Sequence, residues 1–331
     1  MKNILITGGA GYLGLNIAIP LLETGNTVII VDDLKNSYVC HVKNLIKTFP
    51  KNTVFYKGDV CDYNFMKQIF HAHKPDIILH LSALKYVGES IKKPDKYLKN
   101  NIDSLETVLK LTDEFKAKRI AFASSAVVYG NAQYADETCP FSPLSPYAQT
   151  KANGEKLILD WSVKTKIPST IFRFSNPIGA NTKFMFGDHS KKGVLNLVPY
   201  IVKNAIQDTP MTFKGNDHPT PDGTPIRDYI FVSDLSKIVS KVLLTSTSKQ
   251  EILNVSSGSG FSVLEIIKTT EKLLNKKLNF SFSERNKNEA SISILKCDLL
   301  NSKYALKTTA KLEQIIQSQI DFCKFYIEKT E

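Results

Sequence analysis

Residues 3–14 read NILITGGAGYLG, a short β-branched run that breaks into a glycine-rich turn with Gly8, Gly11 and Gly14 three apart. Each of these glycines has a mechanical purpose in such a turn. The first permits a tight reversal, the second lets the backbone approach a pyrophosphate, and the third lets the following helix pack on the strand. The phosphates then meet a helix N-terminus, where N–H groups and the helix dipole favour negative charge. Eighteen residues beyond Gly14, Asp32 closes the next apolar run, Thr27–Val31. A carboxylate there accepts hydrogen bonds from the adenosine ribose hydroxyls and repels a 2′-phosphate, which favours NAD over NADP. The competing reading keeps Gly8–Gly14 as an ordinary strand-to-helix turn and Asp32 as a helix cap. After a third run, Asp59 and Val60 are placed to hold the adenine edge; a plain turn aspartate is the alternative.

Outward from this stretch, the first half alternates β-branched runs with amphipathic segments, the pattern of βαβ units and a parallel sheet. Strands are expected at Asn3–Thr7, Thr27–Val31, Thr53–Lys57, Ile77–Leu81, Arg119–Ser124 and Ser169–Phe174. Helices are expected near Gly11–Thr24, Tyr63–His73, Tyr97–Phe115 and Tyr147–Thr165. The fold class is therefore α/β: a Rossmann-type doubly wound parallel sheet over residues 1–176, completed by a segment near 227–245. A smaller mixed α/β substrate-binding region occupies 177–331. In that region 181–193 is polar and loop-like, and 209–227 carries Pro210, Pro219, Pro221 and Pro225, which interrupt regular structure. Helices are expected there at Val263–Leu274 and Lys311–Lys329.

The 331 residues suffice for two domains with substantial cores. Hydrophobic residues at 42% and charged residues at 23% are ordinary globular values, and no apolar run approaches the ~20 residues needed to cross a bilayer. The five cysteines, Cys40, Cys61, Cys139, Cys297 and Cys323, include no CxxC pair. They fit reduced thiols in the cytoplasm and give no metal site. The net charge of +11 comes from 39 lysines and four arginines. The lysines are spread from Lys2 to Lys329 without clustering, so they read as a solvated surface and not as a nucleic-acid or membrane footprint. Arg119, Arg173, Arg227 and Arg285 carry more information, because guanidinium forks grip phosphate bidentately.

Tyr147 and Lys151 are four apart in a segment of helical character and so project from one face. A nearby ammonium and a nicotinamide cation lower a phenol pKa that is otherwise near ~10, which makes Tyr147 a candidate acid/base. Ser125, after the fifth run, is the natural third member, donating to the substrate oxygen whose proton moves. A lone YxxxK means little in a chain this rich in tyrosine and lysine; its place after a Rossmann half and after Ser124 and Ser125 gives it weight.

With these motifs in hand, the sequence resembles the extended short-chain dehydrogenase/reductase superfamily, and within it the UDP-glucose/UDP-galactose 4-epimerases. The resemblance spans nearly the whole chain. It rests on GGAGYLG at 8–14, VDDLKNS at 31–37, GDV at 58–60, HLSALKYVGES at 80–90, PDKYLKNN at 94–101, SSAVVYG at 124–130, SPYAQTK at 145–151, FSNPIGA at 174–180 and, most discriminating, GNDHPTPDGTPIRDYIFVSDL at 215–235. It implies an isomerase of nucleotide-sugar and galactose metabolism that holds NAD tightly and does not consume it. Tyr147 takes the proton of the sugar 4-hydroxyl as the hydride leaves C4, and the resulting 4-keto sugar turns over before the hydride returns. Ser125 assists the proton transfer, and Lys151 binds the nicotinamide ribose. The implied cofactor contacts are Gly8, Gly11, Tyr12, Leu13, Gly14, Asp32, Asn36, Asp59, Val60, Lys85, Asn100, Tyr147 and Lys151. The implied substrate contacts are Lys85, Ser125, Tyr147, Asn176, Asn196, Leu197, Arg227 on a phosphate, Arg285 and Leu295. A surface ion pair with Asp228 is the other reading of Arg227. A homodimer through the helices near 97–115 and 147–165 is also implied.

Related dehydratases carry an acid pair beside the Ser; here Ala126 and Val127 follow Ser125, so that chemistry lacks its acid. Other positions depart from the epimerase pattern. The second phosphate-gripping arginine is replaced in the stretch Lys287, Asn288, Glu289, Ala290 and Ser291, leaving Arg285 or Lys287 as substitutes. Phe231 replaces a family histidine, and only Asn196 remains of an asparagine pair. Leu295 stands where a large aromatic excludes N-acetylated sugars and a small residue admits them. UDP-glucose and UDP-galactose are therefore the expected pair; a UDP-N-acetylhexosamine epimerase, or an inactive NAD-binding regulator of the same fold, are the alternatives.

Overall fold

The computed structural model describes residues 1–193, 196–285 and 290–327. The β-branched runs and amphipathic segments become, in chain order, β1 (Asn3–Thr7), α1 (Tyr12–Glu23), β2 (Thr27–Asp32), α2 (Val39–Thr48), β3 (Thr53–Lys57), α3 (Tyr63–His73), β4 (Ile77–His80), α4 (Val87–Lys92), α5 (Pro94–Glu114) and β5 (Arg119–Ser125). A 3-10 turn, Ala126–Tyr129, is followed by β6 (Tyr134–Ala135), α6 (Pro146–Thr165), β7 (Ser169–Phe174), β8 (Asn176–Ile178), α7 (Leu197–Ile206), β9 (Met211–Lys214) and β10 (Ile226–Phe231). Then come α8 (Val232–Thr245), β11 (Gln250–Val255), β12 (Gly260–Ser262), α9 (Val263–Leu274), β13 (Phe280–Ser283), β14 (Ile292–Leu295), α10 (Asp298–Tyr304) and α11 (Leu312–Ile327).

The chain divides into two units. The first comprises Met1–Gly130, Pro140–Phe174 and Ser236–Leu253; the second comprises Asn131–Cys139, Ser175–Leu235 and the chain from Asn254 onward. The first is built on a seven-stranded sheet of order β11-β7-β5-β4-β1-β2-β3. The paired strands β1–β2, β1–β4, β2–β3, β4–β5 and β5–β7 all run parallel, the doubly wound arrangement expected from the sequence. Strands β1, β2, β4, β5 and β7 are buried along almost their whole length, which is why they read as continuous apolar runs and not as alternating ones. Leu5, Ile29, Ile78, Ile120 and Ile171 meet Phe70, Leu105 and Ile158 of the covering helices in one core.

Local signals set the helix starts. The Ser145 side chain accepts from the Ala148 N–H (3.1 Å) and Pro146 occupies the first turn of α6, a capped start that fixes Tyr147 and Lys151 on that helix. In the second unit, Ser262 and Glu265 form a reciprocal capping box at the start of α9.

The second unit holds a five-stranded sheet, β12-β10-β14-β6 with β8 on β10, and a separate pair, β13-β9. Its core joins Ile201 and Val202 of α7, Ile266 of α9 and Ile316 and Ile320 of α11. The expected division at 176 differs from the structure in three respects. Residues 131–139 leave the first unit because β6 pairs with β14. The crossing falls after Phe174, and the returning segment is 236–253 in place of 227–245, because β10 pairs with β8, β12 and β14. The proline-rich stretch 209–227, expected to be irregular, contains β9 and the first residues of β10. The helices α2, α4, α7, α8 and α10 go beyond the expected set. Among the described residues, no helix is long and apolar enough to cross a membrane.

Candidate active site

The turn after β1 is shaped by contacts that only glycine permits. Gly8 has φ +67°, and a Cβ on it would lie 2.8 Å from the Ser82 nitrogen; one on Gly14 would lie 2.5 Å from Gly9 Cα. Gly8 donates to the Val31 carbonyl (2.8 Å), which ties the turn to β2. At Gly11 a Cβ would meet only the Gly8 carbonyl at 3.3 Å and Ser37 Oγ at 3.9 Å, so the backbone face there stays open. Gly11 is also the N-cap of α1, with no side chain capping it and no acidic residue in its first turn. Tyr12 and Leu13, in that first turn, are partly buried. The positive end of the helix dipole is thus left for an anion.

Asp32 sits at the end of β2, buried, its Oδ2 accepting from the Ala10 N–H (3.2 Å) and its Oδ1 from the Leu34 N–H (2.8 Å). It caps the loop beside the glycine turn and does not cap a helix. Asn36 lies in the same loop with a buried Oδ1 that has no hydrogen-bond partner. Asp59 accepts from the Cys61 N–H (2.9 Å) and faces Lys35 Nζ at 3.6 Å; the Cys61 hydrogen bond, against the cost of burial, holds its carboxyl below the usual range. The turn-aspartate geometry is therefore present, beside the buried Val60. These residues fit NAD: an uncapped helix start, an unobstructed glycine, a carboxylate at the end of β2 beside the glycine turn and an orphaned amide oxygen.

The end of β5 and the first turns of α6 bring the expected catalytic set together. Tyr147 and Ser125 are hydrogen-bonded, and burial outweighs that bond, pushing the phenol up to about 12. One turn along, Lys151 is 5% exposed and donates to the Ala123 carbonyl (2.7 Å). Its ammonium lies 5.8 Å from the centroid of the Tyr147 ring and 4.8 Å from that of Phe122. Burial brings it down to about 8, with Glu155 opposing. His80, at the end of β4, gives its Nδ1 to a hydrogen bond with Thr7 Oγ1 (2.8 Å) and has no partner at the buried Nε2. Burial and then the charge of Lys151 bring it to about 3, so it is neutral.

Lys85 is exposed, its ammonium 5.8 Å from the centroid of the Tyr86 ring. Asn100 donates to Asn101 Oδ1 (3.2 Å). Asn101 is a residue the sequence reading missed. It accepts from the Leu84 N–H (2.8 Å) and donates to the Leu84 carbonyl (3.1 Å) and to Thr150 Oγ1 (3.0 Å). It thereby ties the loop after β4 to α6 beside Lys151. Its only signal was a second asparagine in PDKYLKNN.

In the second unit, β10 carries Arg227 between Phe261 of β12 and Ser293 of β14. Arg227 Nη1 donates to the Ile226 carbonyl (2.9 Å). Asp228 is 1% exposed, so a surface ion pair with it is not the role of Arg227. Asp228 turns inward and accepts from Ser257 Oγ (2.8 Å), the Gly258 N–H (3.2 Å) and the Leu295 N–H (3.1 Å). Burial raises its carboxyl despite these bonds. Asn176, exposed at the start of β8, donates to the Asp228 carbonyl (2.8 Å). Leu295 is 2% exposed and pairs with Ala135 of β6. Asn196 is the N-cap of α7, its side chain bonded to Asp188 and not capping the helix, so the N-terminus at Leu197 is open. Arg285, two residues past β13, has Nε 3.4 Å from Asp217 Oδ2 in an exposed pair. Lys287, Asn288 and Glu289 lie outside the described residues. Arg119 and Arg173, singled out with the other arginines as phosphate candidates, are buried instead. Arg119 donates to Thr170 and to the Ser246 and Ser248 carbonyls, and Arg173 pairs with Glu155.

The model of the NAD dependent epimerase/dehydratase family matches residues 4–256. The chain is 36% identical over 288 residues to a UDP-glucose 4-epimerase of Yersinia enterocolitica, covering 86% of each. It is similar to the crystal structure of UDP-glucose 4-epimerase from Bifidobacterium longum in complex with NAD+ and UDP, at a TM-score of 0.93 and 30% identity over 98% of each chain. It is likewise similar to UDP-glucose-4-epimerase from Stenotrophomonas maltophila with bound NAD and formylated UDP-arabinopyranose, at a TM-score of 0.94 and 30% identity over 99% of this chain and 100% of that one. The glycine turn, Asp32 and the Ser125–Tyr147–Lys151 set all fall inside the matched stretch, and the chain belongs to the NAD dependent epimerase/dehydratase family.

Proposed function

We propose that this protein interconverts UDP-glucose and UDP-galactose by NAD-dependent 4-epimerisation. The observation that carries the reading is the Ser125–Tyr147 hydrogen bond with the Lys151 ammonium one helical turn away. Bound NAD would supply the acceptor for the C4 hydride and the donor that returns it to the opposite face of the sugar. Tyr147 takes the 4-hydroxyl proton as C4 is oxidised and returns it when C4 is reduced. Burial raises its phenol in the nucleotide-free protein; the positive charge that a bound nicotinamide brings would lower it. Ser125 donates to the sugar oxygen and fixes its direction. The glycine turn, Asp32 and Asn36 hold the adenosine and pyrophosphate of the cofactor, with Asp59 and Val60 at the adenine and Lys85 and Asn100 beside the nicotinamide half.

Asn176, the open N-terminus at Asn196 and Leu197, Arg227 and Arg285 hold the UDP-sugar, with Leu295 setting tolerance at the hexose. A homodimer through α5 and α6 is supported by Leu98 and Val163, which leave 46% and 68% of their surface exposed on those helices. The free thiols of Cys40, Cys61, Cys139, Cys297 and Cys323 support a cytoplasmic setting.

The test is turnover of purified protein with UDP-galactose and no added NAD, against Tyr147→Phe. The parent is expected to form UDP-glucose, and the variant to keep its NAD while losing about 10²–10⁴ in kcat. Undiminished activity in the variant would refute the role of Tyr147. A parent that binds NAD and turns over neither UDP-hexose would leave the regulator reading standing. Turnover of UDP-N-acetylhexosamines alone would reassign the substrate.

A further inference from the structure

Behind the catalytic set lies a buried ion pair that the mechanism above does not use. Glu155 is fully buried on α6, one helical turn beyond Lys151. Arg173 of β7, 3% exposed, grips it as a fork: Nε lies 3.1 Å from each carboxylate oxygen and Nη2 lies 2.7 Å from Oε2. The hydroxyl of Ser124, next to Ser125, donates to Glu155 Oε1. Arg173 Nη1 donates to the Tyr129 hydroxyl (2.7 Å), and its guanidinium also lies over the rings of Tyr129 and Phe141. Tyr129 ends the 3-10 turn that Ser125 begins.

One carboxylate thus touches the strand end that carries Ser125, sits on the helix that carries Tyr147 and Lys151, and is locked by an arginine that also holds the far end of the Ser125 turn. A core that needed only packing gains little from such a pair, since well-packed apolar residues do as well or better. A buried carboxylate four residues from a buried ammonium on one helix has a further consequence, because in a medium of low dielectric the two ions stabilise each other.

We propose that Glu155 is a positioning residue for epimerisation: clamped by Arg173, it fixes β5 and α6 in one mutual geometry and keeps Lys151 in its ammonium form beside Tyr147. The inference rests on the assignment of Tyr147 and Lys151 made above. The titratable groups around Lys151 are Glu155 and Tyr147 on its own helix and His80 at the end of β4, with Arg173 of β7 paired to Glu155. His80 is neutral across the working range and Arg173 stays charged, so Glu155 is the group whose removal changes the balance.

The sign follows. Burial lowers Lys151 and Glu155 opposes it. Without the carboxylate charge Lys151 loses its proton at lower pH, and the alkaline limb of the kcat profile moves down with it. Glu155→Gln, which keeps the size and an acceptor for Ser124, is expected to shift that limb down by about one pH unit. It should also lower kcat about tenfold at pH 8 while the KM for UDP-galactose stays within about twofold. Arg173→Lys keeps both charges but loses the fork; it is expected to lower the melting temperature without moving the limb. If Glu155→Gln does not fold, Glu155→Met/Arg173→Met removes both buried ions together; it is expected to melt near the parent and still lose kcat. A parental limb and kcat in folded Glu155→Gln, or parental kcat in the double variant, overturns the proposal. Tyr147→Phe assayed alongside separates the two failures: if it is inactive while Glu155→Gln is parental, the inference about Glu155 falls and the catalytic reading stands; if Tyr147→Phe is active, the catalytic reading falls first.

Discussion

Replacing Lys151 by methionine is expected to stabilise the nucleotide-free protein at neutral pH while abolishing its activity. The ammonium is 5% exposed, and burial moves its pKa from 10.5 to about 8. A lysine whose folded pKa lies below its unfolded value binds fewer protons in the folded state between those two values, so stability rises with pH across that interval. Below pH 8 the folded chain bears the whole cost of the buried charge, about 3 kcal/mol for a shift of this size. Methionine fills the same channel without a charge, but it gives up the donation to the Ala123 carbonyl, a loss of about 1 kcal/mol. The net expectation is about 2 kcal/mol of added stability at pH 7. The advantage shrinks from pH 8 upward and is gone above pH 10.5, where the parent's lysine is neutral in both states. Trp161, the single tryptophan, sits on α6 with Lys151, so urea unfolding followed by its fluorescence reads the relevant unit. A less stable Lys151→Met at pH 7, or a stability difference that does not change with pH, would refute the account of Lys151 as a charge held in place against its own desolvation.

His80 carries a pH signature of the same sign at lower pH. Its pKa falls from 6.5 to about 3, so the stability it contributes as a neutral ring is lost as pH drops below 6.5. His80→Gln, which keeps a partner for Thr7, should lose about 2–3 kcal/mol less than the parent between pH 6.5 and 4.5 by urea unfolding, and equal losses would contradict the assignment. Gly14→Ala places a methyl 2.5 Å from Gly9 Cα and 2.6 Å from its carbonyl oxygen, so backbone has to move. The expected result is about 1–3 kcal/mol of destabilisation together with loss of co-purifying NAD. Full NAD content with an unchanged melting temperature would show that the turn does not need that contact.

The parts of the fold legible in the sequence were those in which one strong local signal agrees with its surroundings. Buried parallel strands are continuous apolar runs, so β1, β3 and β7 fall at the expected residues, and β2, β4 and β5 within one residue of them. The capped, proline-led start of α6 and the alternation around α3 worked for the same reason. Helix α7 begins beside a loop and is apolar nearly all round, and α2 follows a polar turn without a capping side chain, so neither announces its start. The short strands β8, β12 and β14 have three or four residues each; they exist because β10 offers them a partner, and no local pattern carries that information. The same limit applies to the site. Tyr147 and Lys151 share a helix and are visible as a spacing, whereas Asn101–Thr150 and Arg173–Glu155 link residues on different elements.

The four arginines show how far residue type alone reaches. As scarce guanidinium groups in a lysine-rich chain they were all candidates for phosphate, yet Arg119 and Arg173 are enclosed in the first unit, each turned onto carbonyls, hydroxyls or a carboxylate of its own core. That leaves Arg227 and Arg285 as guanidinium forks for a diphosphate, too few to grip both it and a dinucleotide bidentately. The remaining attraction has to come from the backbone, and α1, α2 and α7 each start with no side chain capping the helix and no acidic residue in the first turn. On the proposed function, anion recognition in this chain is written largely in glycines and in missing caps. The lysine surplus adds a general field that speeds the encounter with polyanions, but it does not choose among them. On the proposed function, selectivity for one nucleotide over another falls to Asp32, and selectivity for one sugar over another to side chains that carry no charge.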